Sequence, residues 1–245
     1  MKTIILRILH FLLGYEKYLQ LFSLFKIYTL RLDGRKSDFL YFNKLLGAEA
    51  NIIVIGACTG ITTIPLAMKC RNRKIFAYEP LSSNFQVLNK VILQYKLKNI
   101  RIFNIGLGNK SEMKGMILPV KNGVKKQGMA HIADPSIPCK SQGSREIVEL
   151  DYLDNRPELL NIKIDGMKVV AENFELQIFE GAKKIIEQNR PLIYCELWND
   201  EKRKLVLELI NRYNYVIYNR INNQMIPYDK NNYIGRNFFF KPISE

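Results

Sequence analysis

Two carboxylates that close apolar runs are the first candidates for chemistry in this sequence. Asp165 closes the run NIKID, and Glu196 closes the run PLIYCE. If both runs are strands of a parallel sheet, both side chains lie at its ligand-binding edge. There they could act as a base or contact a substrate. Glu172 stands at the start of a predicted helix, although the helix dipole alone also favours an acid there. Three carboxylates could bind a hard cation, but no ligand spacing is fixed, so we predict no metal site.

A histidine is the other candidate base. His131 is one of two histidines and lies in QGMAHI, within a long polar stretch. An imidazole with an unperturbed pKa of about 6.5 suits a general base. The alternative is a loop histidine that only binds backbone groups, and we interpret His10 as structural.

A turn containing two glycines follows the first strongly apolar run, in NIIVIGACTG. A dinucleotide-binding turn would read G-x-G-x-x-G, and Cys58 occupies the place of its second glycine. A phosphate-binding G-K-[ST] ending is also absent from this sequence. Gly56 and Gly60 still allow a ligand close to the backbone.

A carboxylate at the end of the next strand sharpens this interpretation. Glu79 in FAYEP follows Gly60 by 19 residues, and a carboxylate there can accept both ribose hydroxyls of an adenosine. The alternative is a solvent-exposed glutamate before Pro80. The combination suits S-adenosylmethionine, whose amino-acid tail needs no pyrophosphate-binding turn.

Strands and helices alternate after residue 50, as in a Rossmann-like, doubly wound α/β sheet. The last strand follows the sixth without a helix, which predicts that it is antiparallel. The predicted strands are 51–57, 74–80, 99–108, 159–165, 191–197, 215–220 and 237–242, and the predicted helices are 62–70, 82–95, 172–188 and 200–212. The stretch 109–145 is rich in Gly, Pro, Ser and Lys and predicts a long loop that is functional or mobile, with a short strand near EMKGMILPV. The acidic run EIVELDYL at 146–153 predicts a further strand.

The bulk composition fits one folded domain with an N-terminal helical extension. We expect residues 1–38 to form the extension and 39–245 the catalytic domain of a 245-residue chain. The net charge of +14 favours anionic partners or simply solubility. The four cysteines include no C-x-x-C pair, and Cys58 and Cys195 in predicted core elements indicate reduced thiols and a cytoplasmic protein.

The N-terminal segment is apolar but carries charges throughout. Arg7, Glu16, Lys17 and Lys26 interrupt it, so no run reaches the roughly 20 residues of a spanning helix. We predict one or two amphipathic helices that pack on the main domain. Peripheral contact with a membrane surface is the alternative.

Several motifs, taken in order, resemble the FkbM-type methyltransferases. They are IGACTGITT, YEP followed by Asn84, ELDYLD, IKID with ENFELQIFEGA, and RPLIYCEL, spread over roughly 39–240. The resemblance implies an S-adenosylmethionine-dependent O-methyltransferase, and members of that family often act on sugars, polyketides or other natural products. It implies a cofactor site formed by Gly56, Ala57, Cys58, Gly60, Glu79, Pro80, Asn84 and Leu107.

Two departures from the family pattern stand out. The family loop D-x-G-A-N-x-G has Val54 in place of Asp and Cys58 in place of Asn. Because both polar groups are missing, Val54→Asp with Cys58→Asn is expected to tighten cofactor binding. Against the family run I-K-I-D-V-E-G, the five residues GMKVV look inserted after Asp165, and Asn173 stands where Gly is common.

These observations favour an O-methyltransferase acting on a carbohydrate or a related small metabolite, for which surface-glycan biosynthesis is one setting. A degenerate, non-catalytic binding protein with the same fold is the alternative. A nucleic-acid partner is not expected, because no N-P-P-Y-like turn occurs and the basic residues are spread along the chain.

Overall fold

The computed structural model describes residues 13–121, 123–133, 143–231, 233 and 235–243. His10, Cys139 and the first part of the predicted N-terminal extension lie outside these residues. The strands are β1 (Ile52–Ile55), β2 (Ile75–Tyr78), β3 (Ile100–Phe103), β4 (Gly106–Gly108), β5 (Glu112–Lys121), β6 (Val124–Lys125), β7 (His131–Ile132), β8 (Gly143–Tyr152), β9 (Gly166–Val169), β10 (Leu192–Glu196), β11 (Tyr215–Ile221), β12 (Gln224–Pro227) and β13 (Asn237–Pro242). The helices are α1 (Tyr15–Tyr28), α2 (Ser37–Leu45), α3 (Thr63–Lys69), α4 (Ser82–Gln94), α5 (Glu175–Glu180), α6 (Lys183–Asn189) and α7 (Glu201–Arg212).

Eight strands form the main sheet, in the order β12-β11-β13-β10-β9-β1-β2-β3. The five strands from β3 to β10 run parallel. β13 lies between β10 and β11 and is antiparallel to both. The predicted mostly parallel α/β sheet with an antiparallel last strand is therefore confirmed.

Alternating side chains of the central strands enter two apolar cores, one on each face of the sheet. In β1, Ile53 and Ile55 join the core covered by α5, α6 and α7. Ile52 and Val54 join the core covered by α1 to α4. All four residues of β1 are buried, as expected for a central parallel strand.

The N-terminal helix α1 packs against the loop that follows β1. Leu19 and Ile27 belong to the same core as Val54. The buried hydroxyl of Ser23 donates to Oγ1 of Thr59 at 2.6 Å. Glu16 also forms an ion pair with Lys90 on α4. This contact with the main sheet agrees with the predicted packing of the extension, and no described helix has the length and hydrophobicity that a membrane crossing needs.

The predicted long loop at 109–145 is wrong for most of its length, whereas the strands predicted near EMKGMILPV and at 146–153 are present as β5 and β8. A second sheet forms there, in the order β4-β8-β5-β6, with β7 also paired to β5. β5 and β8 are antiparallel, with Glu112 opposite Leu150 and Pro119 opposite Gly143. The predicted strand 99–108 is split at Asn104 and Ile105, and its two halves belong to different sheets.

The fourth strand of the main sheet also differs from the prediction. It is Gly166–Val169, whereas 159–165 begins at the last residue of a short 3₁₀ turn (Pro157–Leu159) and is otherwise irregular chain. β9 pairs with β1 and β10, with Lys168 opposite both Val54 and Tyr194. The residues GMKV are therefore the central strand itself and not an insertion.

Candidate active site

A cavity of about 340 Å³ opens at the carboxyl ends of β1, β2, β9 and β10. The second sheet lies over it and contributes Met116 and Leu150 to its wall. Nine of the residues predicted for the site line this cavity, namely Gly56, Ala57, Cys58, Glu79, Pro80, Asn84, Leu107, Glu172 and Glu196.

The two glycines of the first loop are required by close packing. Gly56 has φ +70°, and a Cβ there would lie 1.9 Å from the carbonyl oxygen of Val170. Gly60 has φ +89° and does not line the cavity; a Cβ there would approach Leu88 at 2.9 Å. Gly60 therefore allows the loop to pack closely against α4, and it does not face a ligand in the cavity.

Cys58 lies at the tip of the loop in a left-handed conformation, with φ 50°. Asn accepts this conformation better than Cys does, which gives a physical reason for the Asn of the family pattern. Removal from water and then the nearby Glu79 raise the pKa of the Cys58 thiol to about 12. The thiol is therefore neutral at physiological pH and is not poised as a nucleophile.

Glu79 is the centre of the loop's hydrogen bonding. It is 4 % exposed, and one oxygen accepts from the amide of Cys58 at 2.7 Å. The other oxygen accepts from the amide of Leu81 and from Nδ2 of Asn84, both at 3.1 Å. Burial outweighs these bonds and raises the pKa of Glu79.

An unsatisfied acceptor lies beside this carboxylate. Oδ1 of Asn84 is buried and has no hydrogen-bond partner among the described residues. Its orientation is fixed because Nδ2 of the same amide donates to Glu79. A buried acceptor without a donor is costly, so a ligand hydroxyl or amine at this place would be stabilised. This is the feature of the structure that best fits an adenosine.

Asp165 does not belong to this site. Its carboxylate accepts from the amide of Asn51 at 2.8 Å, at the start of β1. Asp165 precedes β9, so it lies at the amino edge of the sheet, opposite the cavity. The prediction that it ends a strand at the ligand edge is wrong, because the apolar run NIKID is not the strand.

The shift of β9 also changes how the chain compares with the family run I-K-I-D-V-E-G. The strand and the turn after it read Met167-Lys168-Val169-Val170-Ala171-Glu172-Asn173. Val170 then stands where the family has Asp, and Glu172 keeps the place of Glu. Glu172 and Asn173 both have positive φ, at 48° and 75°. A glycine or Asn is favoured in such a turn, which explains Asn173.

Three carboxylates converge where β9 and β10 end. Burial first, then Glu196 and Glu175, raise the pKa of Glu172 to about 7. Glu175 lies behind the wall, accepts from the amide of Ala171 at 2.8 Å, and also has its pKa raised by burial to about 7. Within the residues that the structure describes, no group of three or more His, Cys, Asp or Glu is placed to hold a metal ion.

His131 lies outside the wall of the cavity, although Ala130 and Ile132 on either side line it. Successive side chains of a strand point to opposite faces, and His131 is in β7. Its Nδ1 lies 3.0 Å from the carbonyl oxygen of Met129. His131 is therefore bonded to the backbone, as in the alternative interpretation, although it lies in a strand and not in a loop.

The sequence interpretation missed Lys168. This lysine lines the cavity, is 5 % exposed, and donates from Nζ to the carbonyl oxygen of Gly56 at 2.9 Å. Burial first, then Lys36, lowers the pKa of Lys168 to about 8. The available signal is the lysine of I-K-I-D-V-E-G, which falls on Lys163 when the run is aligned with IKID and on Lys168 when it is aligned with β9.

Comparisons with known proteins bear on the sequence and on the fold. The sequence matches the methyltransferase FkbM domain over residues 55–217. The structure is similar to a crystal structure of methyltransferase FkbM from Methylobacillus flagellatus, with a TM-score of 0.53 and 15 % identity over 80 % of this chain. It is also similar to a SAM-dependent O-methyltransferase from Thermotoga maritima, with a TM-score of 0.52 and 11 % identity over 90 % of this chain.

The matched regions span 45 % of the Methylobacillus protein and 72 % of the Thermotoga protein. At these identities the solved structures support the fold. Among curated proteins, none matches the sequence of this chain.

Proposed function

Because the chain belongs to the FkbM methyltransferase family of S-adenosylmethionine-dependent enzymes, we propose that it is an O-methyltransferase for a hydroxyl of a carbohydrate or a related small metabolite. The observation that carries this proposal is the pair formed by Glu79 and Asn84. Glu79 is a buried carboxylate and Oδ1 of Asn84 is a buried acceptor without a partner, both in the cavity wall.

This chain's residues would hold the cofactor through its adenosine. Glu79 would accept the ribose hydroxyls, and Asn84 would accept a further donor of the same nucleoside. When bound, the cofactor supplies a methyl group on a sulfonium. The protein's part is then to orient the acceptor hydroxyl and to remove its proton.

Glu172 is the residue best suited to remove the proton of the acceptor hydroxyl. It lines the cavity and has its pKa raised to about 7, so half of it is ionised near neutral pH. A base is most effective when its pKa is close to the working pH. Glu196 in the same wall offers acceptors for neighbouring hydroxyls, as does Gln127 from the 3₁₀ turn between β6 and β7. A wall with several acceptors suits a polyhydroxylated acceptor.

The binding experiment is calorimetry with S-adenosylmethionine and S-adenosylhomocysteine, on the native chain and on Glu79→Gln. We expect binding to the native chain and a loss of about tenfold or more in the variant, since two charge-assisted hydrogen bonds weaken. Glu187→Gln, an exposed acid on α6, is the control. No binding at millimolar concentration would overturn the enzyme proposal.

The alternative is a degenerate, non-catalytic binding protein, and Val54 and Cys58 in the cofactor loop are the residues that favour it. The residues GMKVV do not favour it, because GMKV is the central strand β9. Release of S-adenosylhomocysteine in the presence of a panel of sugars and sugar phosphates would decide between the two. Cofactor binding without turnover on any of them would favour the binding protein.

For the contact with a membrane surface we propose an anionic lipid surface as the partner of α1 and the turn after it. Phe25, Tyr28 and Leu32 are 62 %, 87 % and 86 % exposed, and the exposed cations Lys17 and Arg31 lie on the same segment. Apolar side chains beside cations favour an anionic lipid interface.

Flotation with phosphatidylcholine vesicles, with and without phosphatidylglycerol, tests this contact. Binding should require phosphatidylglycerol and fall in the variant Phe25→Ser, Tyr28→Ser, Leu32→Ser. Leu93→Ser on α4, also exposed, is the control. Unchanged flotation of the triple variant, or concentration-dependent dimers that it abolishes, would overturn the proposal.

A further inference from the structure

Lys168 is a buried cation without a bonded counter-charge among the described residues. It is 5 % exposed, and the hydrogen bond from its Nζ to the carbonyl oxygen of Gly56, at 2.9 Å, is the one that the structure gives it. An ammonium group has three donors. Burying such a group is costly unless its charge and its donors are satisfied.

The neighbouring strand explains why the counter-charge is missing. Register pairs Lys168 with Val54 of β1, so the two side chains lie side by side on one face of the sheet. The family pattern has Asp at the position of Val54, and such an acid would lie beside the ammonium group. In this chain the position is a valine with no exposed surface, buried in the apolar core.

The position of Lys168 along the cavity indicates which part of a bound ligand could supply its counter-charge. Glu79 marks one end, and the loop runs from there through Cys58, whose amide bonds Glu79, back to Gly56, whose carbonyl bonds Lys168. A ligand with its adenosine at Glu79 and a short tail along this loop would bring the end of its tail to Lys168.

We propose that Lys168 binds the carboxylate of the cofactor's amino-acid tail and so supplies, from the ligand, the negative charge that Val54 does not provide. This inference rests on the proposed function. It makes Lys168 a cofactor-binding residue and assigns it no part in proton transfer.

The test compares two ligands that differ in the tail. S-adenosylhomocysteine carries the amino acid, whereas methylthioadenosine has the same nucleoside and thioether without it. Calorimetry on the full chain should show that Lys168→Met weakens binding of S-adenosylhomocysteine about tenfold or more. Binding of methylthioadenosine should stay within about twofold, which also shows that the variant is folded. Lys168→Arg should recover part of the loss.

Two further variants locate the effect. Lys163→Met changes an exposed lysine at the other edge of the sheet and should leave both affinities unchanged. Lys36→Met removes the second cation of the cavity wall. If that variant, and not Lys168→Met, loses the preference for the tailed ligand, the assignment to Lys168 is wrong.

Other outcomes separate this inference from the function. Equal losses of both ligands in Lys168→Met would make the lysine structural and overturn the inference alone. Equal affinity of the native chain for both ligands would do the same. If the native chain binds neither ligand, both the inference and the proposed function fail.

Discussion

At the scale of single residues, the site combines buried and half-buried charges of both signs. Glu172 and Glu196 line the same cavity as Lys36 and Lys168, and Glu79 anchors the loop between them. Removing each of these charged groups from water costs free energy, and a polar ligand that binds them reduces this cost. The sequence identified Glu79 and Glu196 because they follow apolar runs, and Glu172 because it stands at the start of a predicted helix. It missed the lysine, because a lysine inside a strand looks like a break in the apolar pattern.

Glu172→Gln is expected to abolish most of the methyl transfer. The raised pKa of about 7 means that the ionised, active form of Glu172 grows as pH rises. The native kcat should therefore increase through about pH 7, and the variant should lose about 10²- to 10⁴-fold without that increase. The measurement is a pH profile of kcat, with Glu187→Gln as control. A variant that keeps the native profile would exclude Glu172 as the base.

Val54→Asp is expected to weaken cofactor binding, whereas the family pattern of the loop predicted that an acid at this position would tighten it. The new carboxylate would lie beside Lys168 and pair with it, since the two positions are opposite in register. We expect weaker binding of S-adenosylhomocysteine by a few-fold and unchanged binding of methylthioadenosine, measured by calorimetry. Tighter binding of the tailed ligand would instead restore the interpretation made from the family loop.

At the scale of elements, the sequence predicted strands well where apolar residues are continuous and badly where they are not. β1, β2 and β10 were found because each is an uninterrupted apolar run. β9 was placed several residues too early, since Gly166 and Lys168 disfavour a strand by composition and NIKID favours one. Pairing with β1 and β10 on both sides outweighs that local preference.

The sequence indicated strands near EMKGMILPV and at 146–153, but their pairing into a second sheet was missed. β5 contains Gly115 and Pro119, and its partner β8 lies about thirty residues away. Pairing between distant strands leaves no short-range sequence pattern, so the residues between the two predicted strands looked like one long loop. The cover of the cavity was therefore beyond what the sequence indicated.

Helix α1 is expected to stabilise the cofactor loop through Ser23. Ser23→Ala removes the 2.6 Å hydrogen bond to Thr59 and leaves a buried hydroxyl with fewer partners. The free energy of unfolding should fall by about 1 kcal/mol, and binding of S-adenosylhomocysteine should weaken a few-fold. Urea titration and calorimetry measure the two effects.

Thr29→Ala is the matched control for this helix. It removes a hydrogen bond to the carbonyl oxygen of Phe25 at the exposed end of α1, away from the loop. A binding loss of the same size in both variants would show that the effect comes from the helix as a whole and not from the contact with Thr59.

At the scale of the whole molecule, the buried acids link stability to pH. Glu172 and Glu175 hold protons in the folded state up to about pH 7, whereas both have an ordinary pKa of 4.5 when unfolded. The stability that the folded protein gains from keeping these two acids protonated is therefore fully present below about pH 4.5. It is lost as the pH rises through about 7. The penalty at high pH is of the order of a few kcal/mol.

Urea titrations at pH 6 and pH 8 should show lower stability at the higher pH. The double variant Glu172→Gln, Glu175→Gln should be more stable than the native chain at pH 8 and should show a smaller dependence on pH. Such a gain in stability with a loss of activity is common at catalytic sites. If the stability of the double variant depends on pH as that of the native chain does, the pH dependence comes from other groups.

The position of β13 also has a consequence for the making of the protein. Phe238, Phe239 and Phe240 are fully buried between two strands that precede them in the chain, and Asn237 pairs with Glu196 at the edge of the cavity. During synthesis, β10 and β11 leave the ribosome before the strand that separates them. Until residue 242 has emerged, each of these strands therefore has an open edge, which nascent-chain chaperones are placed to protect. Cofactor binding should accordingly begin only after β13 has paired with both of these strands.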